Sequence, residues 1–169
     1  EVKVYKHGKV HYQRYSRGGH PDDALKVIDE CDENRTGTTV TFKPDDEIFT
    51  ETTVYDYEIL RTRLKELAFL NKGLEIKFYD ENTDYSRTYK FDGGIVDFVK
   101  YLNESKTKLY DEPLYAKSEK DGIVVEFAIQ HTDNYVDSLY SYVNNVPTAE
   151  GGMHETGFRS GLTRVLNDY

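Results

Sequence analysis

The stretch "YDYEILRTRLKELAFLNKGLEI", Tyr55 to Ile76, sets the architecture of this chain. Leu60, Leu64, Leu67 and Ala68 recur at the helical period, while Arg61, Arg63, Lys65 and Glu66 fall on other faces. Gly73 stands where a helix C-terminal cap belongs, so a helix is expected over about 56–72. Directly after it, "LEIKFYD" and "YSRTYKFD" alternate apolar and polar residues on either side of "ENTD". That is a hairpin pattern, and "GGIVDFVKYLNES" then returns to helix with Ile95, Phe98, Val99 and Leu102 on one stripe. A helix, a hairpin and a second helix in this order indicate an α+β chain rather than a βαβ repeat.

Working outward toward Glu1, "EVKVYKHGKVHYQRY" reads as a hairpin turning at His7-Gly8. "SRGGHPDDALKVIDECDENRTG" reads as loop from its Gly, Pro and Asp content. "TTVTFKP" (Thr38 to Pro44) is a β-branched strand closed by proline. Toward Tyr169, "SKTKLYDEP" carries a turn signal and few periodic apolar residues, which places a domain boundary near residue 108. "LYAKSEKDGIVVEFAIQHT" follows as a hairpin with Asp121-Gly122 at its tip, and "DSLYSYVNNV" as a strand. In the last segment Phe158, Leu162, Val165, Leu166 and Tyr169 form an apolar stripe expected to be buried. The chain starts without Met, already in strand pattern, and its final helix pattern is still running at Tyr169. It reads as a piece of something longer.

Composition narrows the function classes. The apolar share is only 37%, but 15 Tyr and 8 Phe supply enough large side chains for a folded core. A net charge of -9 gives the chain no overall attraction for a phosphate backbone. Cys31, the single cysteine, cannot form an internal disulfide, as expected of a cytoplasmic protein, and its acidic neighbours disfavour a thiolate. No apolar run approaches the length of a membrane span. The five histidines show no metal-ligand spacing: His7 and His11 flank a turn, His131 ends a strand, and His154 opens a helix as a packing or capping residue. The carboxylates cluster in solvated loops such as Asp45-Asp46-Glu47, and no phosphate-cradling loop or nucleophile motif occurs. From the residues alone, a non-catalytic, acidic, Tyr-rich protein-interaction module is one open reading.

Five stretches support a different reading. "RTGTTVTFKPDDEIF" (35–49), "YDYEILRTRLKELAFLNKGLEI" (55–76), "FDGGIVDFVKYLN" (91–103), "EKDGIVVEFAIQHTDNY" (119–135) and "VNNVPTAEGGMHETGFRSGLTRVLNDY" (143–169) occur in a fixed order. Together they resemble the B subunits of bacterial type IIA DNA topoisomerases, the gyrase B and topoisomerase IV B family. "LAFLNKG" and "EGGMHETGF" set the chain apart from the mismatch-repair and chaperone relatives of that ATPase.

The resemblance implies a partial GHKL-type ATPase sheet-and-helix layer over 1–107. A partial transducer domain of ribosomal-protein-like βα fold is implied over 108–169. It implies a parent enzyme that uses ATP and Mg2+, pairs with a gyrase A-type or topoisomerase IV A-type subunit and DNA, and dimerises through its ATPase region. No cofactor is expected on residues 1–169 themselves, nor any catalytic or metal-holding residue. The family's base-bearing glutamate, magnesium-holding asparagine, adenine-reading aspartate and phosphate loop align before Glu1, and its Gln-Thr-Lys lysine after Tyr169. Two nucleotide-site positions do match. Thr38 corresponds to the threonine that works beside the adenine-reading aspartate. Lys6 corresponds to an arginine that contacts aminocoumarin inhibitors at the pocket mouth. The family usually has Thr where Met153 stands, so this helix start is expected to lack a hydroxyl cap.

Overall fold

His7 (φ 53°) and Gly8 (φ 71°), adjacent residues in left-handed backbone, start the fold in the computed structural model, which describes residues 1–169. Two such residues form the tight turn whose twist matches antiparallel strands. They join β1 (Val2–Lys6) to β2 (Lys9–Gln13) in the expected hairpin. A small ribbon of β3 (Tyr15–Ser16) and β4 (His20–Pro21) follows. The segment expected as loop then departs from expectation, because Lys26–Glu30 forms strand β5 against β2. Val27 and Ile28 supply the β-branched residues, and the free edge of β2 supplies partners that loop composition cannot reveal. A register shift between Val10 and His11 accommodates the pairing.

Strand β6 (Gly37–Val40) pairs with β1 and completes the antiparallel order β5-β2-β1-β6. It is shorter than the expected 38–44 because its partner runs out. Glu1 and Thr41 exchange the last two hydrogen bonds, at 2.8 and 2.9 Å. This sheet lies within the first of two compact units, Glu1–Tyr55; the second is Asp56–Tyr169.

In the second unit, α1 (Tyr57–Leu70) starts at Asp56, whose carboxylate accepts from the Ile59 N–H at 3.0 Å. β7 (Ile76–Asp80) and β8 (Tyr85–Tyr89) form the second expected hairpin, and α2 (Ile95–Leu102) follows. The core lies between the helices. Phe69 is buried, with ring centroids 3.6 Å from Phe91, 5.1 Å from Phe98 and 5.6 Å from Tyr101, all stacked. Ala68, Tyr89 and Phe98 are the other buried apolar residues of this unit.

β9 (Leu114–Lys120) and β10 (Ile123–Ile129) pair as expected, with Asp121 and Gly122 left-handed at the tip. Buried Asn103, past the end of α2, donates to Gln130 Oε1 at 3.2 Å, and Gln130 in turn donates to the carbonyls of Tyr110 and Asp111. Residue 108 lies within the second compact unit, Asp56–Tyr169.

Two elements near the C-terminal end differ from the sequence expectation. "DSLYSYVNNV" is not one strand but β11 (Tyr142–Val143), turned into β12 (Val146–Pro147) by left-handed Asn144 and Asn145. Asparagine tolerates that conformation better than most residues, so the pair breaks the strand. Helix α3 (Met153–Asp168) forms where expected, but no residue in it is buried, and Val165 and Leu166 are each 63% exposed. An apolar stripe is buried only where a surface covers it. Within this unit β9–β10 has just two strands and meets the helix through Phe127 and Phe158, 5.3 Å apart.

Two expectations follow. Phe69→Ala will destabilise the second unit by about 3–5 kcal/mol, read from its denaturant midpoint, since it removes the central ring of the stack. The Tyr142 hydroxyl is pushed up from 10.0 to about 12, chiefly by burial and then by Glu66. Its contribution to stability is therefore complete below its ordinary value and is lost as pH rises through about 12. Tyr142→Phe should raise the alkaline unfolding midpoint followed by circular dichroism; an unchanged midpoint would contradict the assignment.

Candidate functional site

Strand alternation decides what the first sheet can present. Val4 pairs directly with Thr38 on one side and His11 on the other, and Lys6 pairs with Lys9. Directly paired residues share a face, and every second residue returns to it. Val2, Val4, Lys6, His11, Thr38 and Val40 thus lie on one face. Tyr5, Val10, Tyr12 and Gly37 lie on the other. That second face is the better covered, with Val10 buried and the Arg35 guanidinium 4.0 Å above the Tyr5 ring.

The structure brings Thr38 and Lys6 to the same face of neighbouring strands, as diagonal neighbours. Such positions lie about 7–8 Å apart, the breadth of a fused heterocycle. Both side chains are exposed. The Thr38 hydroxyl can donate one hydrogen bond and accept others, which suits the edge of a purine or an ordered water. Lys6 supplies an ammonium at the hairpin end, a point charge without the planar fork of arginine. Val4 and His11 fill the surface beside Thr38. Neither was picked out from the sequence as a site residue, although the two-residue period that places Thr38 places them too.

The histidines do not form a metal centre, and no three His, Cys, Asp or Glu side chains converge into one. His131 Nδ1 sits 2.8 Å from the Tyr110 hydroxyl, and that hydroxyl accepts from the His131 backbone N–H at 3.0 Å. His154 Nε2 lies 3.0 Å from Thr148 Oγ1. Thr148 donates its own hydroxyl proton to the Ser141 carbonyl at 3.0 Å. The same hydroxyl lies 2.6 Å from Ser141 Oγ, so the His154 ring joins a small hydroxyl cluster that braces the start of α3. That start has no side-chain cap, and Met153 is 86% exposed there. Left-handed Gly151 (φ 76°) makes the reversal into the helix.

Comparison with known proteins places this geometry in context. A family model described as DNA gyrase B matches residues 94–169. The chain is 52% identical over 171 residues to the DNA gyrase B protein of Enterococcus faecalis, and 50% identical over 170 residues to that of Halalkalibacterium halodurans. Each alignment covers 100% of this chain and 26% of the relative, so the chain spans about a quarter of their length. Among solved structures, it is similar to the 43K ATPase domain of Thermus thermophilus gyrase B in complex with an aminocoumarin. The TM-score is 0.86 at 37% identity, over 99% of this chain and 45% of that one. It is also similar to the B subunit of Myxococcus xanthus gyrase, with a TM-score of 0.79 at 25% identity, over 94% of this chain and 46% of that one.

Since Thr38 and Lys6 are both exposed, Thr38→Ala and Lys6→Ala should each leave the unfolding free energy within about 0.5 kcal/mol of the unsubstituted chain. Chemical denaturation checks this, and a larger loss would show that either side chain serves the fold.

Proposed function

The chain belongs to the DNA gyrase B family, and from that membership we propose that it is the sheet-and-relay segment of an ATP-dependent type II DNA topoisomerase. The reading rests on one observation above the others: identity near one half to gyrase B proteins along the whole of residues 1–169.

In this proposal residues 1–107 belong to a GHKL-type ATPase domain and residues 108–169 to the transducer that follows it. Thr38 meets the adenine edge or the water on it, holding the base against an edge strand fixed to β1 by backbone hydrogen bonds. Lys6 stands at the mouth of the same site. There it carries the charge that an arginine supplies to aminocoumarins in relatives, but without stacking flat on a drug ring.

ATP binding would close a dimer, and the transducer would pass the nucleotide state to the strand-passage machinery, shared with an A-type subunit and DNA in the cytoplasm. General-base activation of water and Mg2+ on the phosphates would come from groups outside the positions matched here.

The experiment has two arms. The 169-residue chain by itself should release no phosphate from ATP with Mg2+, whereas the intact B subunit containing it should. In the intact subunit, Thr38→Val should weaken ATP binding roughly 3- to 10-fold, as for one lost hydrogen bond of about 0.5–1.5 kcal/mol, with the fold unchanged. Magnesium-dependent turnover by the isolated chain, or full nucleotide affinity in Thr38→Val, would overturn the assignment.

A further inference from the structure

The β11–β12 hairpin is fastened to α1 by two hydrogen bonds that join residues 82 and 74 positions apart in sequence. Arg63 Nη2 donates to the Asn145 carbonyl at 2.7 Å. Asn145 Nδ2 donates to Asn71 Oδ1 at 2.9 Å. We propose that this contact is a latch that makes the hairpin, and α3 behind it, follow the C-terminal end of α1. The inference rests on reading 1–107 and 108–169 as nucleotide-binding and relay parts, because the latch joins one to the other.

The geometry on the α1 side is reciprocal. Asn71 is the C-cap of α1, and it uses both ends of its carboxamide. Nδ2 donates to the Leu67 carbonyl at 2.7 Å while Oδ1 receives Asn145, and its backbone N–H also reaches Leu67 O at 3.1 Å. Unwinding the last turn of α1 would move the acceptor that Asn145 needs. Arg63 is held as firmly, because Nη1 bonds Glu66 Oε2 at 3.0 Å while Nη2 bonds the turn. The guanidinium cannot follow a shifted hairpin without leaving Glu66.

The hairpin side is equally committed. Asn144 (φ 49°) and Asn145 (φ 66°) are both left-handed, and this conformation turns the carbonyl and the carboxamide of Asn145 toward α1 together. Asn145 is half-buried, whereas Asn144 is exposed. Beyond the turn, hydrogen bonds continue without a gap. The Thr148 N–H donates to Ser141 O at 2.9 Å, the Ser141 hydroxyl to Glu155 Oε2 at 3.3 Å, and Thr148 Oγ1 meets His154. Glu155 and His154 lie in the first turn of α3. A contiguous polar route therefore joins the end of α1 to the start of α3. Physical continuity alone does not demonstrate coupling, which makes a functional test necessary.

Asn145→Gly is the informative variant, since glycine accepts the positive φ while the Nδ2 donor disappears. Asn144→Gly, in the same turn but with an exposed side chain, is the control. The assay uses the intact B subunit assembled with its A-type partner, measuring ATP turnover and supercoils introduced per ATP. The latch requires Asn145→Gly to keep turnover within about threefold while supercoils per ATP fall about tenfold, with Asn144→Gly unchanged in both. Turnover and supercoiling falling in parallel, or neither moving, overturns it.

Hydrogen exchange on the 169-residue chain is a second test, independent of activity. The Val146 and Thr148 amides should exchange about tenfold faster in Asn145→Gly, with β7 and β8 unaffected. Unchanged exchange at those amides overturns the latch. An unsubstituted holoenzyme without ATP-dependent supercoiling would instead overturn the functional reading beneath it, and exchange would still decide the latch.

Discussion

The second unit depends on the stacking of Phe69 against Phe91, Phe98 and Tyr101. Its sheets contain only two strands each, and a two-stranded ribbon in water is marginal by itself. What makes the ribbons persist is the core between α1 and α2, where one phenyl ring from α1 meets three rings from the segment 91–101. Aromatic side chains suit this task because each buries a large area at the cost of few rotatable bonds. The edge of the cluster is also used: Lys65 rests its ammonium 3.5 Å from the Tyr101 ring centroid, shielding an aromatic face that would otherwise meet water. Tyr57 extends the pattern toward β7 and β8, stacked at 5.4 Å on Phe78 and edge-on at 5.5 Å to Tyr85.

Around that apolar centre, amides rather than charges make the specific joints. Asn103 and Gln130 tie the end of α2 to the end of β10, and Asn71 and Asn145 tie the end of α1 to the last hairpin. A carboxamide offers a donor and an acceptor in one plane, so a pair of them fixes both position and direction. The ion pairs lie mostly at the surface, for example Arg61–Glu58 and Arg159–Asp137, where solvent reduces each to a small contribution. Among the ion-paired cations, Arg63 stands apart because one of its partners is a backbone carbonyl rather than a mobile acid.

How much of this was readable in advance depended on whether the determining information was local. His7-Gly8 and Asp121-Gly122 specify their turns through the conformations their own residues can adopt, so both hairpins could be read directly. The α1 stripe was legible for the same reason, except that Phe69, its most consequential residue, lay just outside the chosen face. β5 was hidden because its existence depends on the free edge of β2 more than on its own composition. The α3 stripe was read correctly as a pattern and incorrectly as buried, since burial belongs to the covering surface and not to the helix. Thr38 and Lys6 came from resemblance alone. The strand register brings them to one face, and no spacing rule links residues 6 and 38 without that register.

The Asn71–Asn145 joint has a physical property that an ion pair in its place would lack. α1 carries no basic residue in its last turn, so its terminal carbonyls depend on partners from outside that turn. Neutral donors serve there, the Asn71 carboxamide directly and the Asn145 carboxamide through it. Neutral hydrogen bonds are scarcely screened by salt, whereas exposed charge pairs weaken within a Debye length of about 8 Å at physiological ionic strength. They are also short-ranged: a displacement of about one ångström takes such a contact outside hydrogen-bonding distance, while an ion pair would still attract. A joint built this way is either made or broken. That sharpness is what an element needs if it is to report the position of a helix end rather than average over it, and it depends on the left-handed turn that aims Asn145.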